Sequence, residues 1–348
     1  MSSVLTRATR QRIATLAIAA AGAGVAWLLG LPLPFLFGPM FACLGAALAG
    51  LPLQGMGQFG VGMRTILGVA VGASITPQVV ALLPQMALSV ALVPLYILVI
   101  AVIGVPYFRR VCGYDPVTAW YAAMPGGLQD MIVFGQEAGA NVRALSLIHA
   151  TRVLVIVTVA PFILVNGFGV SLSNPIGAPA ATLPPHELAL MAAAAVIGWK
   201  GGERIGLFGA SILGPLITTA TLSLLDLIHA RPPAEAIIAA QYFIGISIGV
   251  GYVGVTLREL RRDVLSGMVF VIVLAALAAL FTEAVYLLGL AKPVEGFLAF
   301  APGGQAEMAV LAIVAGAELG FIVVHHLVRI TLVILCAPLA FRWLGKGT

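Results

Sequence analysis

Two short segments carry the residue types most able to do chemistry: Met124-Pro125-Gly126-Gly127-Leu128-Gln129-Asp130 and Ala301-Pro302-Gly303-Gly304-Gln305-Ala306-Glu307. In each, a proline removes a backbone donor and clashes with the preceding turn, and two glycines loosen the backbone that follows. Placed inside helices, such segments should unwind them and leave N–H and C=O groups without intrahelical partners. An acid, Asp130 or Glu307, closes each segment. Downstream of each comes a His-x-x-Arg pair, His149 with Arg152 and His326 with Arg329, spaced to share one helix face. The chemistry on offer is binding rather than bond making. Arg152 and Arg329, helped by half-helix N-termini at the breaks, can clamp an anion. Asp130 and Glu307 can carry protons, bind a cation, or pair with the arginines, and His149 and His326 can relay protons near working pH. A plainer reading stands beside this one. The prolines then only kink helices for packing, and the charged groups lock helices as ion pairs or reach for the interface.

The elements that must position these residues lie in a bilayer. Only 9% of the 348 residues are charged, against about a quarter in a soluble domain, while 61% are hydrophobic. Mean hydropathy is +1.10. Stretches such as Met86–Val105 and Val264–Leu280 are almost free of charge and of the length, about 20 residues, that crosses the hydrocarbon core. The net charge of +5 does not point to nucleic acid, because the arginines cluster beside apolar spans: Arg7, Arg10 and Arg12; Arg109 and Arg110; Arg258, Arg261 and Arg262. Such clusters are topology signals, held at an acidic inner leaflet. Cys43, Cys112 and Cys336 have no CxxC spacing and read as small apolar residues. The apolar run 14–29 is expected to be a retained helix rather than a cleaved leader, since it has a counterpart in the second half.

That counterpart belongs to an internal repeat. Pro125-Gly126-Gly127 falls on Pro302-Gly303-Gly304 at an offset of 177, which also carries His149 to His326, Arg152 to Arg329 and Pro161 to Pro338. Gly68 and Gly72 fall on Gly245 and Gly249 at the same offset, and Gly38-Pro39 falls on Gly214-Pro215 at 176. The expected organisation is a first membrane repeat over 1–165, an uncharged linker over 166–185 and a second repeat over 186–348. Basic loops exchange places between the copies. Arg109 and Arg110 precede the first Pro-Gly-Gly segment, while Arg258, Arg261 and Arg262 follow the helix of Gly245 and Gly249. Exchanged basic loops mean copies that face opposite ways. The fold class is therefore all-α: a polytopic transmembrane bundle of two inverted repeats, about 10–12 helical segments, with a broken helix in each half. Inversion needs an odd number of crossings per copy, so one segment per copy should be re-entrant or fused, and the short ones within 12–52 and 187–228 are the candidates.

At these residues the chain resembles the Gram-negative AbrB membrane family, which is built from a duplicated hydrophobic domain. The resemblance spans nearly the whole chain and is most specific at the two Pro-Gly-Gly segments and the two His-x-x-Arg helices. That family shares its name with an unrelated soluble DNA-binding regulator, and it also travels under the labels transcriptional regulator and ammonia monooxygenase. The residues support neither label. There is no helix-turn-helix with a basic recognition surface, and no histidine spacing suited to copper or iron. The duplicated unit also looks like inverted-repeat carriers such as bile-acid symporters and cation/proton antiporters, an analogy of fold rather than of site.

The expected function is a multi-pass inner-membrane secondary transporter for a small anionic solute. Its substrate-binding residues would be Pro125, Gly126, Gly127, Asp130, His149, Arg152, Pro302, Gly303, Gly304, Glu307, His326 and Arg329. The expected partners are the bilayer, a small solute, a coupling proton or cation, and other copies of the chain in a homo-oligomer, with no direct contact to nucleic acid. No cofactor and no metal is called for, and no catalytic residue: the chain carries no Walker A, no Gly-x-Gly-x-x-Gly and no Gly-x-Ser-x-Gly. Two alternatives stay open, a membrane sensor that influences gene expression indirectly and a membrane monooxygenase subunit.

Overall fold

A computed structural model of the chain describes residues 6–344 apart from Pro32, Ser173, Pro175 and Phe208. Two of these fall in the expected linker, and the outermost residues of the expected repeats, 1–5 and 345–348, also lie outside the described residues. In chain order the α-helices are α1 (Arg7–Leu28), α2 (Pro34–Leu48), α3 (Gln58–Met63), α4 (Thr65–Gly72), α5 (Pro77–Pro106), α6 (Pro116–Ala123), α7 (Leu128–Glu137) and α8 (Val142–Phe162). They continue with α9 (Pro185–Arg204), α10 (Ala210–Leu224), α11 (Ala234–Val250), α12 (Leu257–Glu259), α13 (Leu265–Leu287), α14 (Pro293–Phe300), α15 (Gln305–Ala315) and α16 (Leu319–Leu344). Short polar residues start several of them. The side chain of Thr6 caps α1, that of Asp115 caps α6 ahead of Pro116, and that of Asn141 caps α8.

Among the described residues, five helical stretches are long and apolar enough to cross a membrane: Arg7–Leu28, Pro84–Val111, Val142–Gly167, Leu257–Leu287 and Leu319–Phe341. Large apolar side chains such as Trp27, Ile197, Ile272 and Leu335 stand exposed along the helices, as a lipid-facing surface requires. The protein is a multi-pass membrane protein whose partner is the bilayer. At 1.5 Å per residue, the 15 residues of α2 and of α10 reach only about 22 Å, short of a full crossing.

The helices gather into two compact units, each drawn from both halves of the sequence: Met1–Thr76 with Pro175–Thr256, and Pro77–Asn174 with Leu257–Thr348. This cut is different from the division into successive copies at 1–165 and 186–348.

In the first unit, α1 packs on α2, α2 on α11, α9 on α10 and α10 on α4. These crossings are made at glycines. A Cβ on Gly22 or Gly38 would strike the other's backbone, and Gly198 and Gly214 stand in the same relation. On Gly72 it would come within 2.5 Å of the Leu216 carbonyl, and on Gly249 within 2.5 Å of the Met40 carbonyl. Helices in lipid lack a hydrophobic drive to associate, so close backbone approach at small residues supplies the packing instead. A break at Arg64 separates α3 from α4, whereas α11 runs unbroken through Gln241. The interruption has no proline to announce it. At one end of this unit Glu187 accepts from the backbone N–H groups of His229 and Ala230, both at 3.1 Å, and pairs with the His229 ring at 3.1 Å. The Asp226 carboxylate lies on the other ring nitrogen. These two acids, Glu187 first, hold His229 above the usual histidine range.

Candidate functional site

The second unit holds every candidate residue. The helix that starts at Pro116 stops at Ala123 and resumes at Leu128, and the one that starts at Pro293 stops at Phe300 and resumes at Gln305. Both Pro-Gly-Gly segments therefore interrupt helices, each leaving a C-terminal end and a fresh N-terminus a few residues apart. The reason differs in part from the expectation. Gly127 (φ −65, ψ 144) and Gly304 (φ −74, ψ 149) adopt extended backbone open to any residue, so conformational freedom is not what they provide. They and their neighbours provide room. A Cβ on Gly126 would sit 2.7 Å from Met131 Cε and 3.0 Å from Val333 Cγ1, and one on Gly303 would sit 2.7 Å from Met308 Cε and 3.1 Å from Ile156 Cγ2. On Gly304 it would run into the Glu307 carboxylate. Ile156 and Val333 are 177 residues apart, on α8 and α16, so each break packs against the long helix of the opposite half.

Each break is closed by its own arginine. Arg152 donates from Nη1 to the Met124 carbonyl (3.2 Å) and from Nη2 to the Gly126 carbonyl (2.6 Å). Arg329 donates to the Ala301 (2.8 Å) and Gly303 (3.1 Å) carbonyls. Carbonyls at the end of a helix lack intrahelical donors, and a guanidinium fork answers both the lone pairs and the negative end of the helix dipole. The partners of these hydrogen bonds are backbone carbonyls, and Glu307 also acts electrostatically on Arg152. A carbonyl freed at the end of a broken helix is reached without moving a second charge out of water, which a buried ion pair would require. Asp130 and Glu307 sit in the first turns of α7 and α15, where a negative charge complements the positive end of the dipole. Both are partly exposed.

The histidines hold the same helices in place. His149 Nε2 lies 3.0 Å from the Tyr121 carbonyl and His326 Nε2 lies 2.8 Å from that of Leu298, so each ring carries its proton on Nε2. The Nδ1 atoms differ. That of His326 accepts from Arg329 Nη2 at 3.1 Å, and that of His149 has no partner among the described residues. A proton added to His326 would displace the arginine.

Arg152 is 5% exposed and Arg329 3%, yet among the described residues the Nε of each has no hydrogen-bond partner, and neither has the amide nitrogen of Gln305, 8% exposed at the start of α15. Arg152 lies within electrostatic reach of both Arg329 and Glu307. The arrangement is a buried, donor-rich and cation-rich junction beside two helix N-termini, suited to an anion. Among the described residues, no group of three or more His, Cys, Asp or Glu side chains could hold a metal ion.

Sequence reasoning missed three contributors. Gln305 was legible as part of its segment but had no counterpart amide at Leu128. Tyr96, fully buried, donates to the Phe300 carbonyl at 2.8 Å, and no local motif marks it. His325 Nε2 lies 3.1 Å from Ser89 Oγ and its Nδ1 lies 2.8 Å from the Phe321 carbonyl.

Comparison with known proteins finds relatives over nearly the full length. The chain is 26% identical over 361 residues to "Uncharacterized protein YhjN" of Bacillus subtilis (strain 168), covering 94% of this chain and 92% of that one. It is 25% identical over 324 residues to "Putative regulator AbrB" of Escherichia coli (strain K12), covering 90% and 91%. The family profile described as "Transition state regulatory protein AbrB" matches residues 35–345, which takes in both breaks and both arginines, and the chain accordingly belongs to the membrane AbrB family.

Proposed function

We propose that the protein is a secondary transporter of the bacterial inner membrane, with no enzymatic activity, that carries a small anionic solute bound where the two breaks meet. One observation carries the reading: two buried arginines, each clamped to the carbonyls of its own broken helix, keep an unpartnered Nε beside a half-helix N-terminus. Buried donors left unpaired cost about 1–3 kcal/mol each, and a bound anion relieves that cost together with the repulsion between the two guanidinium groups. Broken helices at matching positions of two copies are the usual setting for a solute site in carriers. Asp130 and Glu307, partly exposed at the same N-termini, are suited to exchange a coupling proton or cation.

Two further observations favour two inverted copies. Hydrogen bonds from His149 and Arg152 recur 177 residues later from His326 and Arg329, onto the corresponding carbonyls. The exchanged basic loops lie side by side: Arg262 Nη2 donates to the Gly113 carbonyl at 3.1 Å, and Tyr114 donates to Asp263 at 2.6 Å. Two basic loops on one face are what opposite orientation of the copies requires.

Counterflow into proteoliposomes, surveyed over small mono- and dicarboxylates, tests the reading. One or more acids should exchange, and R152K or R329K, which keep the charge and lose the fork, should slow exchange at least tenfold. Full exchange by the R152A/R329A double variant would remove the arginines from the site.

A second reading, a membrane sensor that binds the solute without moving it, draws on the regulatory names of the family and of the Escherichia coli relative. It predicts saturable binding with no flux for any acid in the survey.

A further inference from the structure

Outside the breaks, a strongly basic surface of the second unit is formed by two segments far apart in sequence. At the end of α5 the chain makes a wider π-helical turn, Tyr107–Val111, carrying Arg109 and Arg110. Between α12 and α13 a second such turn, Leu260–Val264, carries Arg261 and Arg262, with Arg258 just before it. All five arginines are exposed.

They are held next to one another by buried and half-buried bonds. Tyr107 donates to the Ser266 carbonyl at 3.0 Å, and the Tyr114 hydroxyl donates to Asp263 at 2.6 Å and lies 3.2 Å from Ser266 Oγ. The Arg262 guanidinium stacks on the Tyr114 ring at 4.6 Å. The acids close by in sequence are already engaged. Asp263 is buried against Tyr114, Glu259 pairs with Arg143 at 2.9 Å, and Asp115 accepts from the Thr118 N–H at 2.9 Å. Among the described residues Arg109, Arg110, Arg258 and Arg261 form no ion pair, so the positive charge stands uncompensated.

Apolar side chains adjoin the arginines directly: Val111, Leu257 and Leu265 are 76%, 64% and 55% exposed. Guanidinium groups fit phosphate oxygens, and a lipid-facing apolar rim fits acyl chains. We infer that the Tyr107–Val111 and Leu257–Val264 segments form a headgroup site for an anionic phospholipid. The site is independent of the solute reading, since it shares no residue with the breaks. Because tyrosines fix the backbone under the arginines, little ordering is needed on binding.

The full chain, purified in a neutral detergent, is titrated with phosphatidylglycerol or with phosphatidylcholine of the same acyl chains while the melting temperature is followed. A ligand that binds the folded protein raises it saturably. Phosphatidylglycerol should do so and phosphatidylcholine should not. R109Q/R110Q and R258Q/R261Q should each weaken the effect of phosphatidylglycerol about thirtyfold, from about 1 kcal/mol per arginine. R109K/R110K should retain most of it, and R7Q/R10Q should bind like the parent. Each lift is read against the variant's own baseline, so a change in stability alone does not mimic lost binding. Equal lifts from the two lipids, parental binding by both glutamine variants, or an equal loss in R7Q/R10Q would overturn the inference. So would a full lift from inorganic phosphate alone, which would make this a free-phosphate site.

Discussion

The two broken helices are built to one plan and tied down unequally. At the first, Arg152 makes two hydrogen bonds to carbonyls, and the Nδ1 atom of His149 has no partner among the described residues. At the second, Arg329 makes the same two and a third to His326 Nδ1, and Tyr96 adds a bond to the Phe300 carbonyl. Tyr96 also meets the Phe300 and Phe281 rings edge-on at 5.4 and 5.0 Å. Its position 177 residues on is Val273, so the first break lacks this bond. One break is therefore braced and the other has acceptor and donor capacity in reserve. In a carrier, such a difference assigns the roles of fixed support and adjustable partner to two halves that are otherwise alike.

The comparison can be broken most forcefully at the arginines. Arg329→Ala strands the carbonyls of Ala301 and Gly303 and the Nδ1 of His326. It should cost about 3 kcal/mol of stability, against about 2 kcal/mol for Arg152→Ala, at 1–3 kcal/mol per buried group left unpaired and less where water enters. Thermal unfolding of the two variants side by side checks the order, and equal losses would mean that the third bond contributes nothing. A smaller effect, about 1 kcal/mol, is expected from Tyr96→Phe, which removes one hydroxyl and keeps the ring contacts. Combined with Arg329→Ala it should fall short of additivity, because both residues brace the second break, whereas with Arg152→Ala the costs should sum.

The smallest effect lies outside both breaks and gives the comparison its baseline. Glu187, and then Asp226, raise the His229 pKa on folding, so its contribution is complete below the ordinary value of 6.5 and fades as pH rises through the raised one. Stability should thus decline gently across that window, and His229→Gln should flatten the decline. A slope that persists in His229→Gln belongs to other groups.

Local chemistry was legible and long-range choice was not. Proline alone does not stop these helices, since Pro84, Pro94, Pro161, Pro215 and Pro338 stand inside helices that continue; the breaks after Ala123 and Phe300 fall where proline is followed by two glycines. The shared face of His149 and Arg152 likewise needs only helical spacing. Which acceptor a guanidinium finds depends on what tertiary packing brings within its reach, and here that packing supplies carbonyls freed by the break. The glycines show the same limit. Their identity suggested backbone freedom, while their use is to admit Met131, Met308 and the facing helix. Tyr96 sits 204 residues from Phe300, and no pattern in either segment links them. Nor does any periodicity tell that each compact unit takes its helices from both halves.

The central claim is that the junction of the two breaks opens in turn to both sides of the membrane. Gln305→Cys, in a chain whose Cys43, Cys112 and Cys336 are replaced by serine, places a thiol at the start of α15. In sealed vesicles of known orientation, a membrane-impermeant thiol reagent should label it from the inside and from the outside, and a transported acid should slow both reactions. Labelling from one side only, unchanged by every acid that binds, would contradict alternating access and leave a sensor in its place.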